Sequence, residues 1–343
     1  MKKIISLIIL TLMFISCSKT PNSNQFPEPK KYTVKDYFPF IADRRMKYQG
    51  LGNEYAEMDV YVDFIKNNRI QLRILNPGTV LAQVYEIKDG ELRLIKSQEE
   101  FYYRDNIIDS KSENPDILLK EPIKVGTEWT TKEGYKRYIS NLEKEIETPY
   151  GKFKALEVTT EGKDYKTYDY YVLNIGLVKK IFETNNNKIE TNLEKIENNA
   201  SLIQNIAFYY PDFLKEKIAF KEETIKFKTN ESTIEKFESL LKNPPREGLT
   251  RVLSPNTKIN NMYFNPQENK IYIDLSKEFI TEMNAGSSLE AMIIQSLVNT
   301  LCRYYNTDKV YISLDGNPYE SGHIAINKDE FFKPDYKNTI EVK

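Results

Sequence analysis

Between about Tyr37 and Ile196, hydrophobic and polar residues alternate with period two. Met58, Val60, Val62 and Phe64 take every second place; Asn67-Asn68 interrupts the run, and Ile70, Leu72 and Ile74 alternate back. Alternation broken by a turn dipeptide is the mark of a β-hairpin with one face on a core. Val84 to Ile87, then Asp89-Gly90, then Leu92 to Ile95 repeat the pattern with a dipeptide that tight hairpins prefer. Pro149-Tyr150-Gly151 marks a further turn before Phe153, Leu156 and Val158, and Tyr168, Tyr170 and Val172 lead to Gly176-Leu177-Val178. The run from Glu183 to Ser201 is dense in Asn, Glu and Lys and reads as the end of the last strand followed by a linker.

Beyond it the period changes to that of a helix. Strands are expected at Ile206–Tyr210 and Lys217–Lys228. Ser232-Thr233-Ile234-Glu235 then forms a capping box ahead of an apolar face of Ile234, Phe237, Leu240 and Leu241, and Pro244-Pro245 stops that helix. Ser287 to Glu290 is a second capping box. After it Leu289, Met292, Ile293, Leu297, Leu301 and Tyr304 recur at three and four, on one side of a helix. Ile294, Val298 and Cys302 add a second apolar row, leaving Gln295, Asn299 and Arg303 as the polar arc. Strands flank this helix at Lys270–Leu275 and Lys309–Leu314, the latter ending at Asp315-Gly316.

These residues resemble the GerMN domain of sporulation and spore-germination lipoproteins. The matching marks are Asp274-Leu275-Ser276 with Phe279, Gly286-Ser287-Ser288, Gln295 to Leu301, and Val310 to Gly316. Upstream, Phe208 to Asp212 is similar to the family's opening strand, and Leu240-Leu241 through Pro244 to Gly248-Leu249 to its linker; Asn243 stands where a glycine is usual. The resemblance covers roughly residues 203 to 326. It implies a non-enzymatic assembly lipoprotein on the outer face of the cytoplasmic membrane, acting in sporulation or germination. A weaker resemblance, to a β-domain of other bacterial lipoproteins, attaches to residues 148–158 and 174–180 and implies no activity.

The expected fold class is α+β: an antiparallel all-β domain at 37–196, then a small αβ domain at 203–333 with two helices on one sheet. Residues 1–16 have a basic start and a nearly unbroken apolar run shorter than a membrane span, the pattern of a signal peptide. Cys17 follows Phe14-Ile15-Ser16, which resembles a lipobox and implies lipidation at Cys17; two or more acyl chains anchor a protein stably. Residues 17–36, rich in Pro, Asn, Ser and Lys, read as a flexible tether. At 343 residues the chain exceeds one ordinary hydrophobic core, in keeping with two domains.

Composition narrows the partners. The formal charge is −1, and loss of residues 1–16 removes two lysines, so no basic surface for nucleic acid or anionic lipid is indicated. The expected partners are the membrane, through the anchor, and envelope or sporulation proteins. His323 is the sole histidine, no nucleophile or phosphate-loop motif occurs, and Cys302 is the only cysteine besides Cys17. Catalytic residues, metal and cofactor are therefore all expected to be absent. Tyrosines in Phe101-Tyr102-Tyr103-Arg104 and in 165–171 read first as sheet packing. The alternative function is a cell-wall or small-ligand binding module. The second row poses its own question, because two helices on one sheet leave Ile294, Val298 and Cys302 uncovered. Either the rest of the chain covers them, or they are an interface through which copies associate head to tail.

Overall fold

The computed structural model describes residues 31–342, and residues 33–343 form one compact unit. The signal peptide, Cys17 and most of the tether lie outside the described residues. The end of the tether does not: from Thr33 the chain is folded, because α1 (Val34–Tyr37) buries Val34 completely and its amide donates to Glu121 Oε1 at 3.0 Å.

Twelve antiparallel strands follow. They are β1 (Arg44–Leu51), β2 (Met58–Lys66), β3 (Arg69–Leu75), β4 (Val80–Lys88), β5 (Glu91–Gln98), β6 (Asp116–Lys120), β7 (Glu128–Thr130), β8 (Lys136–Thr148), β9 (Gly151–Glu161), β10 (Tyr165–Val172), β11 (Gly176–Thr184) and β12 (Lys188–Asn198). Their spatial order, β6-β5-β4-β3-β2-β1-β12-β11-β10-β9-β8-β7, is two meanders joined by pairing of β1 with β12. Hairpin turns fall where the sequence places them. Asn67 sits at φ 54, and Asp89 and Gly90 at φ 54 and 72, the left-handed pair that matches strand twist in a two-residue loop.

The sheet curls until its edges nearly meet. Arg137 on β8 bonds Asp116 at 3.1 Å and the carbonyl of Ile117 on β6, and the Trp129 indole on β7 donates to the same carbonyl at 2.8 Å. Edge groups that would otherwise attract other chains are thereby occupied. Inside lies an apolar core around Tyr48, Val60, Ala155, Tyr170, Val178 and Leu193.

The Asn-rich run read as a linker contains a full strand, β12. Its inward residue Leu193 is fully buried, whereas Glu and Lys populate its outer face and hide the alternation; between β11 and β12 only Asn185 to Asn187 is turn.

The αβ half has two small sheets. One is β13 (Leu202–Asp212), β14 (Lys217–Phe227) and the terminal β19 (Thr339–Glu341); the other is β15 (Ile259–Asn265), β16 (Lys270–Leu275), β17 (Val310–Leu314) and β18 (Asn317–Pro318). Three helices join them: α2 (Thr233–Lys242), the short α3 (Glu278–Thr281) and α4 (Ser287–Tyr305). Ser232 caps α2 as expected, accepting from the Glu235 amide at 3.2 Å. Asn243 ends it at φ −120, so the position needs no left-handed residue.

Two expectations for α4 are corrected. Its cap is Gly286, and Ser287 already lies in the first turn; Glu290 does not reach back but accepts the Tyr319 hydroxyl at 2.7 Å, satisfying a buried phenol. The helix also packs between two sheets, not on one. Ser296 and Thr300 are small enough to bring it close to β13, where the Thr300 hydroxyl accepts the Tyr209 amide at 3.0 Å. Ile294, Val298 and Cys302 are 3, 1 and 1 % exposed and join the core shared with Ile271, Ile273 and Ile312. The polar arc is covered by the C-terminal segment, where Asn299 exchanges bonds with Asp335 at 2.6 and 2.9 Å. The second row is therefore covered from within the chain and is not a free interface.

Barrel and αβ half share a seam built by the segment after β5. Phe101 and Tyr103 pack against Phe264 and Tyr305. Asp63, Arg73 and Arg104 are each 1 % exposed, with Asp63 2.9 Å from Arg73 and 3.4 Å from Arg104. Arg104 lies between the rings of Phe64 and Phe227 and donates to the carbonyls of Asp63, Lys228 and Glu231, pegging β2 to the start of α2. Asp105 accepts from the Phe264 amide at 3.0 Å and from the Tyr305 hydroxyl at 2.7 Å, and burial raises its pKa to about 6.

Candidate functional site

Strand alternation decides which side chains the four-stranded sheet offers outward. On β16, Ile271, Ile273 and Leu275 are buried against the helices, which turns Lys270, Tyr272 and Asp274 to the opposite face. Tyr263 pairs with Tyr272, and Tyr272 with Tyr311, in direct register across β15, β16 and β17. The result is a ladder of three tyrosines. The first two rings stack at 5.3 Å and 10°, the next pair lies 5.6 Å apart, and Tyr263 is 42 % exposed. Cross-strand aromatic contact of this kind stiffens the sheet, yet Tyr263 stays exposed and Tyr272 and Tyr311 are only half-buried.

A polar rim holds the ladder in place. Lys270 stands 4.7 Å over the Tyr272 ring and pairs with Glu268 at 2.7 Å, and Glu268 also accepts the Tyr272 hydroxyl at 2.5 Å. At the other end Asp274 is half-buried. Burial alone would raise its pKa, but bonds from the Ser313 hydroxyl at 2.6 Å, the Gly316 amide at 2.8 Å and the Asn260 amide at 2.9 Å outweigh this and hold it below the usual carboxylate range. Asp274 thus fixes the β17–β18 turn as an anion. The arrangement is rigid, aromatic and amphipathic, the composition that recurs at protein–protein contacts.

The sequence did not single out these tyrosines. The signal was present in Lys270-Ile-Tyr-Ile-Asp-Leu and Lys309-Val-Tyr-Ile-Ser-Leu, where Tyr falls at the same place of two strands; parallel pairing then aligns them.

The residues the sequence did single out are scattered. His323 is exposed in a turn, and its side chain carries no hydrogen bond to a described residue; the neighbouring Ser321 hydroxyl accepts the amides of His323 and Ile324. Cys302 is a buried free thiol whose pKa burial pushes up to about 12, so it is inert. Phe101, Tyr103 and Arg104 are seam residues, whereas Tyr102 stays exposed. Among the described residues no cluster of His, Cys, Asp or Glu could hold a metal, and no helix is long and apolar enough to cross a membrane.

Residues 207–320, which include the ladder, match the family model Germane: Sporulation and spore germination. The chain carries a Germane domain. This domain holds β16, α4 and β17, the elements on which the resemblance in the sequence rests. No curated protein sequence matches the chain. Among solved structures, the tandem GerMN domains of the sporulation protein GerM from Bacillus subtilis align at 18 % identity and TM-score 0.28, over 38 % of this chain and 46 % of that one; this chain thus spans about half of that protein. A protein described as a lipoprotein, from Parabacteroides distasonis, aligns at 18 % identity and TM-score 0.31, over 47 % of this chain and 98 % of its own. One described likewise, from Clostridium perfringens, aligns at 19 % and 0.26, over 39 % and 87 %.

Proposed function

We propose that this is a lipid-anchored, extracytoplasmic and non-enzymatic protein that holds partners together at the cell envelope, in sporulation or germination. The Germane match supports the process. The leader pattern before Cys17 supports the anchor. The single observation that carries the assembly role is the open tyrosine ladder of the Germane domain: three aromatic rings in register on an otherwise polar face. Rings held by their own sheet lose little further freedom on binding, so they contribute area at low entropic cost. The partner is a protein surface that offers apolar or cationic groups to the ring faces.

The test is co-purification from membranes with the chain tagged at its C-terminus, comparing wild type with the triple variant Tyr263→Ser, Tyr272→Ser and Tyr311→Ser. These side chains point away from the core, so the variant should melt close to wild type while losing its partners. Retention of every partner by a folded variant would overturn the reading.

A further inference from the structure

The barrel contains a cavity that the Germane domain does not touch. It lies between β1, β2 and β3 and the β10–β11 turn, has a volume of about 100 Å3, and is walled by Met46, Met58, Val60, Leu72 and Ile74. These side chains face the barrel core, yet Met46, Met58, Leu72 and Ile74 remain only half-buried. Apolar groups that face inward and still keep contact with solvent line a space that the described residues do not fill. The segment after α1 forms the mouth, where Phe38 lies 5.3 Å from the ring of Tyr85.

One charged group reaches this cavity. Arg44 starts β1 and donates from Nη1 to the Ile175 carbonyl at 3.1 Å. Its Nε is buried without a hydrogen-bond partner, and among the described residues it forms no ion pair, although the neighbouring Arg45 has two carboxylates. Burial depresses the Arg44 pKa. A guanidinium held beside an apolar hollow with no anion of its own is unusual, since buried charges are ordinarily paired. Among the described residues Nη2 has no hydrogen-bond partner, which leaves its N–H groups available to an acceptor.

We infer that the barrel binds a free aliphatic carboxylate, with the chain in the cavity and the carboxylate on Arg44. The volume sets the scale. An apolar cavity of about 150 Å3 takes up benzene, so this one holds a chain of a few carbons, the remainder lying at the mouth. Apolar pockets with one well-placed charge use the pocket for affinity and the charge for orientation. The inference concerns the barrel alone and stands or falls separately from the tyrosine face.

The probes are hexanoate and 1-hexanol, added to the mature chain from residue 17 carrying Cys17→Ser, which lacks only leader and lipid. With methionine methyl groups labelled for NMR, hexanoate is expected to shift the Met46 and Met58 signals and to bind at least about tenfold more tightly than hexanol. Arg44→Met is expected to bind hexanoate as weakly as hexanol while its hexanol affinity is unchanged. The comparison of the two probes on the unaltered barrel needs no variant and decides the matter if Arg44→Met does not fold. Equal affinity for acid and alcohol, shifts confined to other methionines, or no shift at millimolar hexanoate would each overturn the inference.

Discussion

Asp63 is one carboxylate between two guanidinium groups, all three 1 % exposed. Replacing it with Asn keeps the shape and removes the only carboxylate in ion-pair contact with either guanidinium. Arg73 would retain its bonds to the carbonyls of Phe101 and Tyr103, at 2.6 and 2.7 Å, and Arg104 its carbonyl partners, but two positive charges would face each other with only the more distant Asp105 to offset them. Breaking a buried pair by deleting one partner costs about 3–5 kcal/mol, and here one deletion uncovers two charges, so Asp63→Asn belongs at the upper end. Arg104→Met is a sharper control than it first looks. It removes bonds to three carbonyls, of which those of Asp63 and Lys228 keep the amides of Asn230 and Glu231 at 3.0 and 3.2 Å and that of Glu231 loses its donor, a loss worth about 1.5–3 kcal/mol for a bond to a charged group. It also leaves Asp63 and Arg73 as a balanced pair, which offsets part of that loss. The expected order of destabilisation is therefore Asp63→Asn above Arg104→Met, and both above Asp59→Asn, whose pair with Arg45 is partly exposed and worth about 1 kcal/mol or less. Urea unfolding at pH 7.5, followed by Trp129 fluorescence and by circular dichroism, measures all three. An Arg104→Met variant less stable than Asp63→Asn, or an Asp63→Asn variant no worse than Asp59→Asn, would refute the charge-balance reasoning.

Other expectations concern the seam and the core. Asp105, with a folded pKa raised to about 6 by burial, binds its proton more tightly in the native state than in the unfolded one, so its contribution is greatest in acid and is lost as pH rises through about 4 to 6. Over about two pH units this amounts to at most about 3 kcal/mol; Asp105→Asn should flatten that slope and unfold at higher urea than wild type at pH 7.5, and identical slopes would contradict it. Leu297 is fully buried at the centre of α4, and Leu297→Asp should cost several kcal/mol by burying an unpaired charge; melting like wild type would show the helix register to be wrong. Cys302 should resist iodoacetamide in the native protein and react once urea unfolds it, whereas reaction at the rate of a free thiol in native buffer would count against its burial.

Local signals in the chain were legible and distant ones were not. Asn67-Asn68 and Asp89-Gly90 set their turns by backbone preference alone, so the hairpins they close could be read directly. The apolar rows of α4 were also legible, and their breadth correctly implied a helix enclosed on several sides. Of what encloses it, the flanking strand β16 was legible, but β13 and the C-terminal segment were not, because their contacts come from points distant in the chain, as with Tyr209 on Thr300 and Asp335 on Asn299. β12 was hidden by its composition: one face of an outer barrel strand meets water, and Glu and Lys there resemble a linker. The Ser287 box failed for a tertiary reason, since the buried Tyr319 hydroxyl takes the Glu290 carboxylate that local geometry would return to the helix start. The tyrosine ladder needed register, which no single strand encodes.

The most direct test of the proposed assembly role is site-specific photo-crosslinking in membranes of cells that make the protein. A photoreactive phenylalanine analogue replaces Tyr272 in the centre of the ladder, and Lys152, exposed at the start of β9, in the control. The account predicts a discrete adduct with another envelope protein from position 272 and none from position 152. No adduct at 272, or the same adducts from both positions, would contradict it.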